Sequence, residues 1–168
     1  LTYLMFIQRI ENVADHAKGI AQSVISLGNE ECPKDILNLA LKTGDHVNRI
    51  YVMAAEAMLI GDDKAANHVI NEIEHFVPMR QQAEELMEQH LVKLCEEMLP
   101  KLTPETCALF GPHQKAMFCL ENIFESFGKI LEHSSAIAEN AIDRALEHGR
   151  RKPEKETAKK TPKKSSKK

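Results

Sequence analysis

The sequence has no tryptophan, and aromatic side chains make up only 5% of its 168 residues. Residue types that favour β-strands over α-helices are few. The apolar residues are mainly Leu, Ile, Ala and Met, in long runs interrupted by polar residues. Helices with one buried stripe have this pattern, so the composition argues against a β-rich fold and predicts an all-α protein.

The sequence also lacks the short motifs of common enzymes. It contains no G-x-S-x-G, H-E-x-x-H or Walker-type loop, and its E-x-x-H motif, Glu72 to His75, occurs once where a ferritin-like di-iron site requires two copies. We therefore predict that the protein is not an enzyme. A carboxylate-bridged metal enzyme is the third-ranked alternative.

Cysteine pairs and long apolar runs are missing too. The four cysteines show no C-x-x-C spacing, which predicts reduced thiols in an intracellular protein. No apolar run approaches the roughly 20 residues that span a bilayer, and no segment resembles a secretory signal. Leu1 already lies in an apolar helical pattern, so we expect the natural start of the chain to lie upstream.

The charge is divided between an acidic body and a basic tail. Residues 150–168 hold ten basic and two acidic side chains, whereas the preceding residues hold 12 basic and 23 acidic ones. Dense like charge with little apolar character predicts that the tail is disordered. Four roles for the tail stay open: contact with an anionic membrane surface, with nucleic acid or with the acidic body, or a solubilising role alone. No sequence-specific nucleic-acid binding is predicted.

Four long helices are predicted, packed as an elongated antiparallel bundle. They cover residues 2–27, 33–60, 64–98 with a kink at Pro78, and 113–148 closed by Gly149, with one short turn before the last. In the fourth helix, the apolar residues recur at steps of three and four and predict the core-facing stripe. This stripe consists of Met117, Leu120, Ile123, Phe124, Phe127, Ile130, Leu131, Ile137, Ala138 and Ala141.

A ten-residue segment of the first helix is repeated in the fourth. Val13-Ala-Asp-His-Ala-Lys-Gly-Ile-Ala-Gln22 reappears 117 positions later as Ile130-Leu-Glu-His-Ser-Ser-Ala-Ile-Ala-Glu139. Both copies keep an acid followed by a histidine, with Ile-Ala four residues beyond the histidine. The match predicts a duplicated helical unit.

The helical spacing places several acids on outward faces. Glu11 and Asp15 lie four residues apart, as do Glu121 and Glu125, and Glu132 follows seven residues after Glu125. Carboxylates on one face suit Mg, Mn or Fe ions, although most such columns are merely solvated. Glu74 in the third helix is one more acid of this kind. His16 and His133 are expected at the flank of the core, as packing or hydrogen-bonding residues rather than ligands.

The segment from Tyr3 to Gln22, above all Ile10-Glu-Asn-Val-Ala-Asp-His-Ala-Lys-Gly-Ile-Ala-Gln22, resembles the closing-helix signature of the PhoU family of phosphate-uptake regulators. Members of that family have two three-helix repeats. The resemblance implies that residues 1–27 are the last helix of an incomplete first repeat and residues 34–149 a complete second repeat. Glu11 and Asp15 fit both acids of the family's metal motif. In the second copy Glu132 fits one acid, Gly128 replaces the other, and Glu125 or Glu121 would have to substitute from an adjacent turn; Glu74 matches an acid of a distant branch.

For function, the resemblance implies a non-enzymatic cytoplasmic regulator of phosphate uptake or phosphate signalling. A peripheral position at the inner membrane face is an expectation from the basic tail. The regulator would be a homo-oligomer, contact a phosphate transporter component or its sensor kinase, and bind Fe, Zn, Mn or Mg. The alternative is the cytoplasmic PhoU-like domain of a sodium/phosphate cotransporter.

Overall fold

The computed structural model describes residues 2–28, 32–101 and 103–150, and every regular element in these ranges is a helix. The α-helices are α1 (Thr2–Leu27), α2 (Lys34–Ile60), α3 (Asp63–Ile73), α4 (Phe76–Met98) and α5 (Pro104–Arg150), with a single 3₁₀ turn at Leu99–Lys101. The prediction of an all-α helical bundle is therefore confirmed. The tail beyond Arg150 lies outside the described residues.

Local sequence signals set the ends of the first helices. Gly28 and Gly61 take the left-handed conformation after α1 and α2, with φ of 60° and 75°. The Gly61 and Asp62 amides both donate to the Ala57 carbonyl, at 2.9 and 3.1 Å. The Asp62 side chain then caps α3 by accepting hydrogen bonds from the Lys64 and Ala65 amides. These signals fix the reversal between α2 and α3 within two residues.

The third predicted helix is wrong as a single element. It divides into α3 and α4 at Glu74 and His75, one turn before Pro78. Proline has no amide hydrogen to donate to the carbonyl four residues earlier, and its ring crowds that carbonyl. The helical ladder therefore breaks at Glu74, and the His75 amide bonds instead to the Glu72 carbonyl at 3.2 Å.

The last helix is longer than predicted. It begins at Pro104 instead of His113, passes through Pro112, and continues past Gly149 to Arg150. At 1.5 Å per residue it is about 70 Å long. Every predicted residue of its core stripe is buried.

Helix α5 is the centre of the bundle, with α2, α3 and α4 packed on one side and α1 on another. The core includes Ile36, Ile50, Met58, Val69 and Ile137, all fully buried. Arg144 connects three helices: it donates to the Met58 carbonyl at 2.8 Å, and its guanidinium lies 5.1 Å from the centre of the Tyr3 ring. Within the described ranges, none of the helices has both the length and the apolar character needed to cross a membrane.

Candidate functional site

The two copies of the repeated segment meet in the structure. Tyr3 near the start of α1 contacts Arg144 near the end of α5, whereas Gly19 later in α1 lies beside Ser126. The helices therefore run antiparallel. They cross where His16 and His133 stack, with ring centres 5.6 Å apart and planes at 28°. Because these histidines are equivalent in the repeat, an approximate local two-fold axis passes between them.

The side chains at this crossing form a small polar cluster. His133 Nδ1 lies 3.3 Å from Arg9 Nη1, and since a guanidinium only donates, Nδ1 is the acceptor. Burial lowers the pKa of His133, and the neighbouring Arg9 and His16 lower it further. Both histidines are half-buried at the seam between α1 and α5, as expected for packing residues.

The repeat also reveals a difference between the outer faces of α1 and α5. In α5, which packs against α2, α3 and α4 as well as α1, Phe124, Leu131, Ser134, Ala138 and Ala141 are all buried. Their equivalents in α1 are all exposed. We call these residues the outer face of α1: Ile7, Ala14, Ala17, Ala21 and Val24. The outer face of α1 therefore has the same apolar pattern as the buried face of α5. Among the described residues, no helix packs against it.

The predicted carboxylates are all exposed. Glu11 and Asp15 are exposed on α1, and Glu74 is exposed at the end of α3. Glu121 and Glu125, predicted on one face, line different grooves, one between α4 and α5 and the other between α1 and α5. Over the described part of the chain, no group of three or more His, Cys, Asp or Glu side chains is placed to hold a metal ion.

In the second copy, Gly128 stands at the position of the first acid of the metal motif, and it is packed against neighbouring side chains. A Cβ on Gly128 would lie 3.5 Å from the Phe76 ring and 3.8 Å from Arg80 Nη1. Arg80 pairs with Glu84 at 2.9 Å, and Glu132 pairs with Lys129 at 3.0 Å. An aromatic ring and a guanidinium thus border the groove beside Glu132.

Among the described residues, three pairs of neighbouring histidine rings were not predicted as pairs from the sequence. Besides His16 and His133, the pairs are His46 with His75, at 6.5 Å between ring centres, and His90 with His113, at 5.5 Å. The members of each pair are more than 20 positions apart along the chain, and His75 lies in the turn between α3 and α4. Helical periodicity relates residues within one helix only, so it gave no signal for these contacts.

The chain matches no protein-family model, no curated protein and no solved structure. The resemblance to the PhoU family therefore stays a resemblance carried by the sequence motif.

Proposed function

We propose that this protein is a PhoU-like, non-enzymatic regulator of phosphate uptake or phosphate signalling. The observation that carries the proposal is the crossing of the two repeat copies at His16 and His133. A tandem duplication of a three-helix unit accounts for a crossing at equivalent residues, because the closing helices of two such units would pack across a local two-fold axis.

The outer face of α1 supports the same proposal. In α5, the equivalent residues are buried, and α5 packs against α2, α3 and α4. By the duplication, α1 would accept a matching pair of amphipathic helices on its outer face. Five exposed apolar positions in equivalent register are expected for such an interface, since exposed apolar stripes mark surfaces that bind another element.

Glu11 and Asp15 supply a partial metal site in this proposal. They are four residues apart on α1 and exposed. Two carboxylates are fewer ligands than hard cations take, so the pair by itself is not a complete metal centre. Carboxylates of the helices that cover the outer face would complete it, and the bound ion would then join them to α1.

Phosphate uptake in the source organism tests the function. After deletion of the gene, we expect the uptake rate of labelled phosphate to lose its response to external phosphate, because a regulator sets that response. The wild-type chain in its full natural context should restore it, and Glu11→Ala/Asp15→Ala should not. Glu121→Ala/Glu125→Ala is the matched control, since those acids line different grooves.

The outcomes separate the competing functions. An unchanged response to phosphate after deletion would contradict the regulator. Loss of phosphate transport itself, rather than of its regulation, would instead favour the cotransporter domain.

A further inference from the structure

The three histidine pairs have a separation that suits a shared metal ion. Two imidazoles bound to one tetrahedral ion have ring centres about 5 Å apart, given metal–nitrogen bonds of roughly 2.0–2.1 Å. The ring centres of His90 and His113 are 5.5 Å apart, with planes at 51°. The separations in the other two pairs are 5.6 and 6.5 Å. Distance alone therefore does not distinguish the pairs, whereas the partners of their nitrogen atoms do.

Two of the pairs use ring nitrogens for other contacts. In the first pair, His133 Nδ1 accepts from Arg9 at 3.3 Å. In the second, His46 Nδ1 lies 2.9 Å from Arg49 Nη2, and His46 Nε2 lies 3.3 Å from a backbone carbonyl. A guanidinium beside the ring also repels a second cation. Neither pair is suited to bind a metal ion.

The pair formed by His90 on α4 and His113 on α5 is different. His90 Nε2 and His113 Nδ1 are both buried, and neither has a hydrogen-bond partner among the described residues. Burying a polar atom without a partner is unfavourable, so two such atoms on neighbouring rings indicate a ligand that they share. Such a ligand would have to satisfy two nitrogen atoms at once.

Charged groups of both signs lie around this pair. Asp35 on α2 and Glu97 on α4 are the acids that act on His90, against one base, Lys93, and the second imidazole, His113. Burial of the ring, followed by the effect of His113, lowers the pKa of His90.

We propose that His90 and His113 form a binding site for a late divalent transition-metal ion of the Zn²⁺ class. Imidazole nitrogen suits Zn²⁺, Ni²⁺ and Cu²⁺, whereas Mg²⁺ prefers oxygen ligands. Because no third protein ligand is in place within the described ranges, water completes the coordination. The ion joins α4 to α5 on either side of the connection at residues 99–103. This site is separate from Glu11 and Asp15 and does not depend on the proposed function.

A Zn²⁺ titration of the full chain tests the site. We expect binding by calorimetry and a rise in the thermal unfolding temperature, because an ion that binds only the folded state stabilises it. His90→Gln and His113→Gln should each weaken binding by at least about tenfold, since each removes one of two protein ligands. The control is His16→Gln, which changes a pair of almost the same separation. Mg²⁺ should give no such effect.

Nuclear magnetic resonance of the histidine rings makes the result independent of how well the variants fold. In the wild-type chain, Zn²⁺ should shift the ring signals of His90 and His113 first. If no ring shifts at up to about 1 mM Zn²⁺, a concentration that reveals even a weak site, the two nitrogens share a water molecule and the proposal is overturned. It is likewise overturned if the His90→Gln variant binds Zn²⁺ as tightly as the His16→Gln control.

Discussion

Helices α1 and α5 carry two copies of one segment, and only one of them is packed on its outer face. Phe124 of α5 is 2% exposed, whereas its equivalent in α1, Ile7, is 59% exposed. Ala141 is fully buried, whereas its equivalent Val24 is 53% exposed. The apolar pattern is thus the same in both helices, and the neighbouring elements decide whether it forms core or surface.

The inner faces of the same two helices, in contrast, are alike. Phe6 and Val13 of α1 are buried against α5, and their equivalents Ile123 and Ile130 are buried too. An interface across a local two-fold axis buries equivalent residues of both helices, as the interface of a symmetric dimer does. Among the described residues, the main difference between the copies is therefore at the outer faces, where α5 packs against α2, α3 and α4 and the outer face of α1 is exposed.

The largest expected effect comes from truncating one outer-face residue in each copy. Phe124→Ala should lower the free energy of unfolding by about 3–5 kcal/mol, because it leaves a cavity in a packed core. Ile7→Ala, at the equivalent exposed position, should cost less than about 1 kcal/mol. Denaturant unfolding of both variants measures the difference. Equal losses would mean that the outer face of α1 is buried in solution and would remove the contrast between the copies.

The sequence predicted the helices well where the signals were local. The periodicity of α5 identified its core stripe, and the first two helices end at residues 27 and 60 as predicted. The errors came from proline. Pro78 was expected to bend one helix and instead follows a break between two. Pro112 was expected to precede the last helix and instead lies inside α5. Whether a proline disrupts a helix or is accommodated within it depends on its tertiary contacts. The local sequence pattern does not contain those contacts.

The candidate sites were predicted only in part, for a related reason. Heptad positions correctly placed Glu121, Glu125 and Glu132 outside the core, because orientation about one helix follows from its own period. Which groove each acid lines depends on the neighbouring helix, and so does the pairing of His90 with His113. A single helical period carries no information about those contacts.

A smaller effect is expected at Gly19, where the two copies differ on their inner faces. The equivalent residue in α5 is Ala136. A Cβ on Gly19 would lie 3.7 Å from Ser126 Oγ, an ordinary contact. Gly19→Ala should therefore raise the free energy of unfolding by about 0.5–1 kcal/mol, because alanine loses less backbone entropy in a helix.

Gly44→Ala on α2 is the control for this change. It makes the same substitution inside a helix, but its Cβ would lie 3.1 Å from Phe127 Cζ, so crowding should reduce or reverse the gain. Denaturant unfolding compares the two variants. Equal gains at both positions would show that Phe127 moves aside and that the contact at Gly44 is not restrictive.

The smallest effect concerns pH at the crossing, because His133 is only partly buried. Burial first, and then Arg9 and His16, lower the pKa of His133 in the folded state. The unfolded chain therefore binds a proton more readily, so the free energy of unfolding should fall as the pH drops through the ordinary histidine pKa of about 6.5.

His133→Gln should make the dependence of unfolding free energy on pH less steep, and Arg9→Gln should do so to a lesser extent because burial remains. The neighbouring Glu132 acts in the opposite direction and Lys129 in the same direction as Arg9, so neither is changed in this comparison. His68→Gln, at an exposed histidine, controls for the loss of one imidazole ring. If the His133→Gln and His68→Gln variants show the same slope between about pH 7 and pH 5.5, the crossing of the two copies does not respond to protons. A less steep slope for His133→Gln alone would make the seam between α1 and α5 the part of the repeat where protonation weakens the fold.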